Sequence, residues 1–221
     1  VPGAGAGGAA AAEALGVAGA VVVRVARSLA PVQTDTRLDV PCDLTDARAV
    51  EELVGRVTSS VGVPRIVVSN AGAFAIASLQ DTAPEEFRCQ LEANLVAPFL
   101  VARSFVPLMR EAGGGRLITI GSIADHVGFP DNVAYAASKY GLRGLHEVLR
   151  AELAGSGVRC SLVSPGPTDT SAWDVVDPDA RPGFTPRAKM LRAEDVAEAV
   201  RWIATLPGHV DVDWLRLGPA S

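Results

Sequence analysis

The chain alternates two kinds of stretch, and this alternation limits its fold more than any other feature. Short runs rich in β-branched residues, at 20–25 (AVVVRV), 36–42, 65–70 (RIVVSN), 117–120 (LITI), 159–164 and 211–217, read as strands. Between them apolar residues recur at helical spacing: an Ala-rich stretch over 9–15, Val50, Leu53, Val54, Val57 and Val61, then Leu142, Leu145, Leu149 and Leu153, and finally 193–205. A long helical region over 84–109 carries the stripe Phe87, Leu91, Leu95, Phe99 and Ala102. Regular alternation of strand and helix predicts the α/β class, with a doubly wound parallel sheet between two helical layers. At 221 residues the chain fits one such domain, spanning 1–221.

Composition removes several function classes. The net charge of -5 comes without a basic stripe, so nucleic acid is not an expected partner. Cys42, Cys89 and Cys160 are odd in number and far apart, which gives neither a disulfide framework nor a paired zinc motif. His126, His146 and His209 are scattered, so no metal site is expected. Residues 1–23 are apolar apart from Glu13 but are Gly- and Ala-rich and lack a basic leader. They match neither a signal peptide nor a membrane span, and a cytoplasmic protein without a membrane partner is expected. The phosphate-loop and nucleophile-elbow motifs are absent, which argues against an NTPase and an α/β-hydrolase.

Chemistry concentrates over residues 117–142, LITIGSIADHVGFPDNVAYAASKYGL. Tyr135 and Lys139 are four apart on a predicted helix, so they share a face. Ser122 ends the preceding strand and can meet them. Asn94 interrupts the stripe of the long helix, where an unsatisfied polar group costs roughly 1–3 kcal/mol. It either supports the site or caps a break before Pro98. Gly3, Gly7 and Gly8 form a Gly-rich turn that opens a helix, and such a turn lets backbone N–H groups approach a pyrophosphate. Arg27 and Ser28 end the strand at 20–25. No Asp or Glu stands there to grip a ribose 2′-hydroxyl, and Arg suits a 2′-phosphate, with Ser28 or Arg24 in support. Asp43 and Leu44 end the next strand, where Asp43 contacts a base or simply makes a turn, and Thr45 or Asp46 can cap the following helix.

These motifs resemble the short-chain dehydrogenase/reductase family, with its Ser about a dozen residues before Tyr-x-x-x-Lys. The Ser-Asn-Ala-Gly of 69–72 is similar to the family's Asn-Asn-Ala-Gly, and Pro165, Gly166, Thr168 and Thr170 lie in a Pro-Gly-x-x-x-Thr-like turn. The resemblance implies a Rossmann-like fold and an NAD(P)H-dependent oxidoreductase acting on a small-molecule carbonyl or alcohol. It makes Tyr135 the acid/base and has Ser122 hold the substrate oxygen. It has Lys139 lower the Tyr135 pKa and bind the nicotinamide ribose, and Asn94 complete a proton relay. A cation about 4 Å from a phenolate contributes on the order of 4 kcal/mol at an effective dielectric near 20. Cofactor contacts are implied at Gly3, Gly7, Gly8, Arg27, Ser28, Asp43, Leu44, Asn70, Ala71, Gly72, Tyr135, Lys139, Pro165, Gly166, Thr168 and Thr170, with NADP preferred over NAD.

The glycine turn departs from the family pattern, since Pro2 stands at the Thr and Ala9 at a Gly, unless Gly8 is the third glycine. Only Val1 and Pro2 precede it, so the family's first strand, which lies mid-sheet, is missing and a slot is expected there. About fourteen residues between Ser28 and Asp43 leave little room for a helix and a strand. Residues 171–191 read as a loop over the site, and the ending resembles NADP-dependent hydroxy-acid, serine and clavaldehyde-type dehydrogenases. The alternatives are a 3-oxoacyl-carrier-protein reductase and a non-catalytic dinucleotide-binding scaffold. The family also implies a homodimer or homotetramer joined through the two long helices.

Overall fold

The computed structural model describes residues 6–220; Gly3 lies outside them. In chain order the elements are α1 (Ala6–Val17), β1 (Val22–Val25), β2 (Val32–Gln33), β3 (Arg37–Val40), α2 (Ala47–Val61), β4 (Ile66–Ser69) and α3 (Pro84–Leu91). A π-helical segment, Glu92–Val96, joins α3 to α4 (Ala97–Glu111). Next come β5 (Gly115–Ile120), α5 (Val133–Glu152), β6 (Val158–Pro165), β7 (Thr168–Asp169), β8 (Leu191–Arg192), α6 (Ala193–Thr205) and β9 (Trp214–Leu217). The predicted helix at 193–205 coincides with α6, and Asp46 caps α2 through bonds from the Arg48 and Ala49 amides.

Strands β4, β5, β6 and β9 pair in parallel in that order, while β1, β3 and β2 form a second group. Alternation along the strands sorts the core into two faces. Leu117 and Cys160 join Leu53, Val57, Val101, Phe105 and Met109 beneath α2, α4 and α5. Ile118 and Val163 join Ala11, Ala197, Val200 and Ile203 beneath α1 and α6. This is a three-layer α/β/α arrangement with a Rossmann-like fold. Strands β1 and β4 are half-buried along their whole lengths, and no ladder joins the two sheets among the described residues. Val23, Val25 and Val67 nevertheless pack on the same cluster, so both sheets share one layered core.

The short span after Ser28 holds β2, which runs antiparallel to β3, with Val32 opposite Asp39. Arg24, offered as a support for Arg27, is engaged within the sheet: its Nε and Nη2 donate to Asp39 Oδ1 and Oδ2 at 2.8 and 2.6 Å. Arg37 adds a third side chain to the group, and the two guanidiniums hold the buried Asp39 carboxyl far below its ordinary pKa.

The stripe expected along the long helix also changes at Asn94. A π-turn inserts an extra residue and so rotates the rest of the helix by about 100°. Of the expected stripe Ala102 is buried and Phe99 is exposed, and Leu100, Val101, Phe105 and Met109 face the core. By length and apolarity alone Pro84–Glu111 could cross a membrane; these four residues instead bury its apolar face within the fold.

Candidate active site

Strand β5 delivers Ser122 to its carboxyl end, where the residue caps a 3-10 turn at Ile123–Asp125. The Ser122 hydroxyl accepts from the Ala124 amide at 3.2 Å and lies near enough to the Tyr135 hydroxyl to lower its pKa. Tyr135 lies in the first turn of α5, and Lys139 follows one turn later with its Nζ 5.7 Å from the phenol ring centre. Lys139 is buried and donates to the Ile120 carbonyl at 3.0 Å, which ties the helix back to the strand that carries Ser122. The convergence expected from spacing is therefore present.

Its electrostatics differ from the expectation. Burial pushes the Tyr135 phenol up, the nearby Ser122 hydroxyl opposes this, and the Asp125 charge adds to the rise. Burial likewise lowers Lys139 from 10.5 to about 8, with Asp125 pulling the other way. The ammonium donates to a carbonyl, and the causes that set the phenol's pKa are burial, Ser122 and Asp125.

Asn94 is completely buried and uses its amide fully. Its Oδ1 accepts from the Ala73 amide at 2.8 Å, and its Nδ2 donates to the Ala73 carbonyl at 2.9 Å and to Ser138 Oγ at 3.0 Å. The side chain thus pins the turn after β4 to α5 through Ser138. Gly72 is required beside it, since a Cβ there would stand 2.6 Å from Asn94 Oδ1.

The residues assigned to cofactor contact lie at the strand ends and at the start of α1. Gly7 and Gly8 pack on the Asn70 amide; a Cβ on Gly8 would come within 2.8 Å of its Nδ2, so the glycine turn and the Asn-Ala-Gly turn meet. Arg27 and Ser28 are exposed just beyond β1. Arg27 Nη1 lies 3.8 Å from Asp43 Oδ2 across the ends of β1 and β3. The amide and hydroxyl of Thr45 and the nearby Arg27 lower the Asp43 pKa. Leu44 packs on the core. At the end of β6, which closes with Pro165, the Gly166 amide donates to the Leu217 carbonyl, Thr168 Oγ1 donates to the Gly166 carbonyl, and the Thr170 carbonyl accepts from Arg187.

Sequence reasoning missed two groups. Asp125 is fully buried beside Ser122, and its Oδ2 accepts from the Ser122 amide at 3.2 Å. Its Oδ1 holds His126 Nδ1 at 2.6 Å, and the His126 ring meets Trp214 edge-on. Over the phenol, Phe74 packs edge-on against Tyr135 and against Trp173 of the 171–191 loop. The low aromatic content, 5%, was the available signal for this second cluster.

The family model for short chain dehydrogenases matches residues 1–181. The chain belongs to the short-chain dehydrogenase family. It is 31% identical over 180 residues to an uncharacterized oxidoreductase of Staphylococcus aureus, covering 81% of this chain and 75% of that protein. It is 32% identical over 168 residues to D-threitol dehydrogenase of Mycolicibacterium smegmatis, covering 74% and 65%. Among solved structures, an alcohol dehydrogenase from Thermococcus sibiricus complexed with 5-hydroxy-NADP superposes with a TM-score of 0.84 at 26% identity, over 98% of this chain and 93% of that one. The closed form of serine dehydrogenase complexed with NADP+ gives 0.86 at 24% identity over 97% and 91%, a likeness of fold. This short-chain dehydrogenase is accordingly an NAD(P)-dependent alcohol/carbonyl oxidoreductase of small molecules.

Proposed function

We propose that this enzyme interconverts a carbonyl and a secondary or primary alcohol with NADP in preference to NAD, and that Tyr135 is the proton donor in reduction and the acceptor in oxidation. The observation that carries this reading is the meeting of Ser122 and Lys139 around Tyr135 at the carboxyl edge of the sheet, where ligands bind in such folds.

When bound, NADPH would supply a hydride to the carbonyl carbon in reduction, and NADP+ would accept one from the alcohol in oxidation. The residues fit this cofactor. Gly7 and Gly8 leave the start of α1 free of side chains beside Asn70, and the helix end offers unpaired N–H groups to a pyrophosphate. Arg27, exposed with no acidic residue on its own strand end, would meet a 2′-phosphate, and Asp43 the adenine amino group. Asn70, Ala71 and Gly72 would border the adenosine ribose, Lys139 would hold the nicotinamide ribose, and the 165–170 turn would approach the carboxamide.

In reduction the Tyr135 Oη proton passes to the substrate oxygen, to which Ser122 Oγ also donates. With a pKa near 8, Lys139 Nζ holds or releases a proton close to neutral pH and serves as the next member of the relay. Tyr135→Phe tests the assignment: NADPH titration should still show binding while turnover is abolished, and unchanged turnover would remove Tyr135 from the mechanism. Self-association through α4 and α5 belongs to the same reading, because Phe99, Tyr140 and Val148 are exposed on these helices; a monomer in light scattering would refute it.

A further inference from the structure

The chain is poor in aromatic residues, yet four of them meet at the mouth of the site. Phe74, in the turn after β4, lies 5.0 Å from the Tyr135 ring centre at 81°. On its other side Trp173 lies 4.9 Å away at 60°, and Phe184 lies 6.2 Å beyond Trp173 at 78°. Three separate chain segments thus build one continuous aromatic surface that begins at the proposed proton donor. All four residues remain partly exposed, so the cluster is not sealed in the core.

The surface is held in place by its own polar groups. Trp173 Nε1 donates to the Thr168 carbonyl at 3.0 Å, which fixes the indole and leaves its ring faces as what it can offer a ligand. One cation of the 171–191 loop is committed as well. Arg187 Nη1 donates to Asp169 Oδ1 and Nη2 to Asp174 Oδ1, each at 2.6 Å, and Nη1 also reaches the Thr170 carbonyl. A carboxylate or phosphate on the substrate would have to compete with two carboxylates for that guanidinium.

We propose that Phe74 and Trp173 form the wall against which the substrate's side group lies, and that the substrate is an uncharged ketone or alcohol bearing a flat aromatic group next to the reacting carbon. This rests on the oxidoreductase reading of the same site and narrows it. An aryl ring can meet Phe74 and Trp173 edge-to-face, the geometry the two rings already adopt with each other. Pocket walls of this kind discriminate between substrates by about tenfold or more when one apolar contact is gained or lost.

The test uses the whole enzyme with NADP+ and 1-phenylethanol, 2-butanol and 3-hydroxybutyrate, together with calorimetric binding of benzamide, which cannot react. Expected are the highest kcat/KM for 1-phenylethanol and measurable benzamide binding. In Trp173→Ala and Phe74→Ala the ratio of kcat/KM for 1-phenylethanol over 2-butanol should fall about tenfold and benzamide binding should be lost. Trp173→Phe, which keeps a ring and the loop's packing, should retain most of both. Turnover that favours 3-hydroxybutyrate, or a ratio unchanged in the Ala variants, overturns the aromatic wall and leaves the oxidoreductase reading standing. No turnover of any of the three alcohols, with benzamide binding still dependent on Trp173, supports the wall and overturns that reading; the loss of both overturns both.

Discussion

The Ser164 hydroxyl donates to Asp125 Oδ2 at 2.5 Å, joining the end of β6 to the turn that follows Ser122 on β5. Trp214 Nε1, from β9, donates to the same hydroxyl at 2.8 Å. The carboxyl ends of β5 and β6 are therefore tied to one buried carboxylate, and the first residue of β9 joins them through the Ser164 hydroxyl. That carboxylate also accepts from the Ser122 amide, so the position of the proposed substrate-oxygen donor depends on it. Gly121 leaves the room that Asp125 Oδ2 occupies.

Asp125→Asn should uncouple these strands. An amide keeps one acceptor oxygen and presents a donor in place of the other, so either His126 on Oδ1 or Ser164 and Ser122 on Oδ2 lose their acceptor, at a cost of about 2–3 kcal/mol for a buried charged hydrogen bond. Denaturant titration should register that loss. Because Asp125 raises both the Tyr135 and the Lys139 pKa, removing its charge should also move the alkaline limb of the reduction pH profile downward. A variant as stable as the parent with an unmoved limb would contradict both effects.

Lys139→Met should abolish turnover yet stabilise the cofactor-free protein. The folded pKa of Lys139 is depressed from 10.5 to about 8. Below about pH 8 the side chain is charged in both the folded and the unfolded states, and its burial cost is fully present. That cost fades as pH rises to 10.5, because the unfolded chain then binds more protons, and it is absent above. The difference is worth about 3 kcal/mol, less about 1 kcal/mol for the lost bond to Ile120. Melts at pH 7 should therefore favour Met by about 2 kcal/mol, and the advantage should disappear by pH 10.5.

The chain order of strands and helices was legible because each element carries its own period, and Tyr135 with Lys139 was legible because a helix fixes four-residue neighbours. Ser122 needed only the end of a strand. Asp125 could not be read in this way: nothing in the loop sequence says that its carboxylate turns inward. It does so only because β6 brings Ser164, distant in sequence, to the same edge. The Arg24–Asp39 pair appears once β1 and β3 are in register, with Arg24 opposite Asp39. The π-turn at Asn94 breaks the assumption of a constant period, and the stripe through Phe99 failed there. In the phosphate-binding half, Gly7 and Gly8 were singled out for a ligand, and the structure adds a second constraint on them, the Asn70 amide.

Asn94→Leu should cost stability through unpaired backbone. The Ala73 amide and carbonyl would lose their partner at once, for about 1–3 kcal/mol each where no water replaces it, while Ser138 Oγ would lose the donor Asn94 but keep its own bond to the Tyr135 carbonyl. Gly72→Ala, which drives a Cβ against Asn94 Oδ1, should disturb the same turn more mildly. A ranking with Gly72→Ala as the more damaging variant in thermal melts would show that the turn's backbone, and not the Asn94 amide, is what the fold depends on.

Arg27→Ala should separate the two nicotinamide cofactors. Arg27 stands exposed beyond β1 with Asp43 Oδ2 at 3.8 Å, close enough to orient the guanidinium but without the geometry of a tight ion pair. A 2′-phosphate brings more charge than one carboxylate and should draw the guanidinium toward it, a contact that NADH cannot make. Removing the side chain should weaken NADPH binding about tenfold or more, on the order of 1.5–3 kcal/mol for a charge-assisted contact, and change NADH binding little. Exposure also makes this contact sensitive to salt, so the NADPH advantage of the parent should shrink as ionic strength rises. Fluorescence titration of both cofactors at low and high salt measures each effect, and an equal loss for NADPH and NADH in the variant would mean that Arg27 does not read the 2′-phosphate.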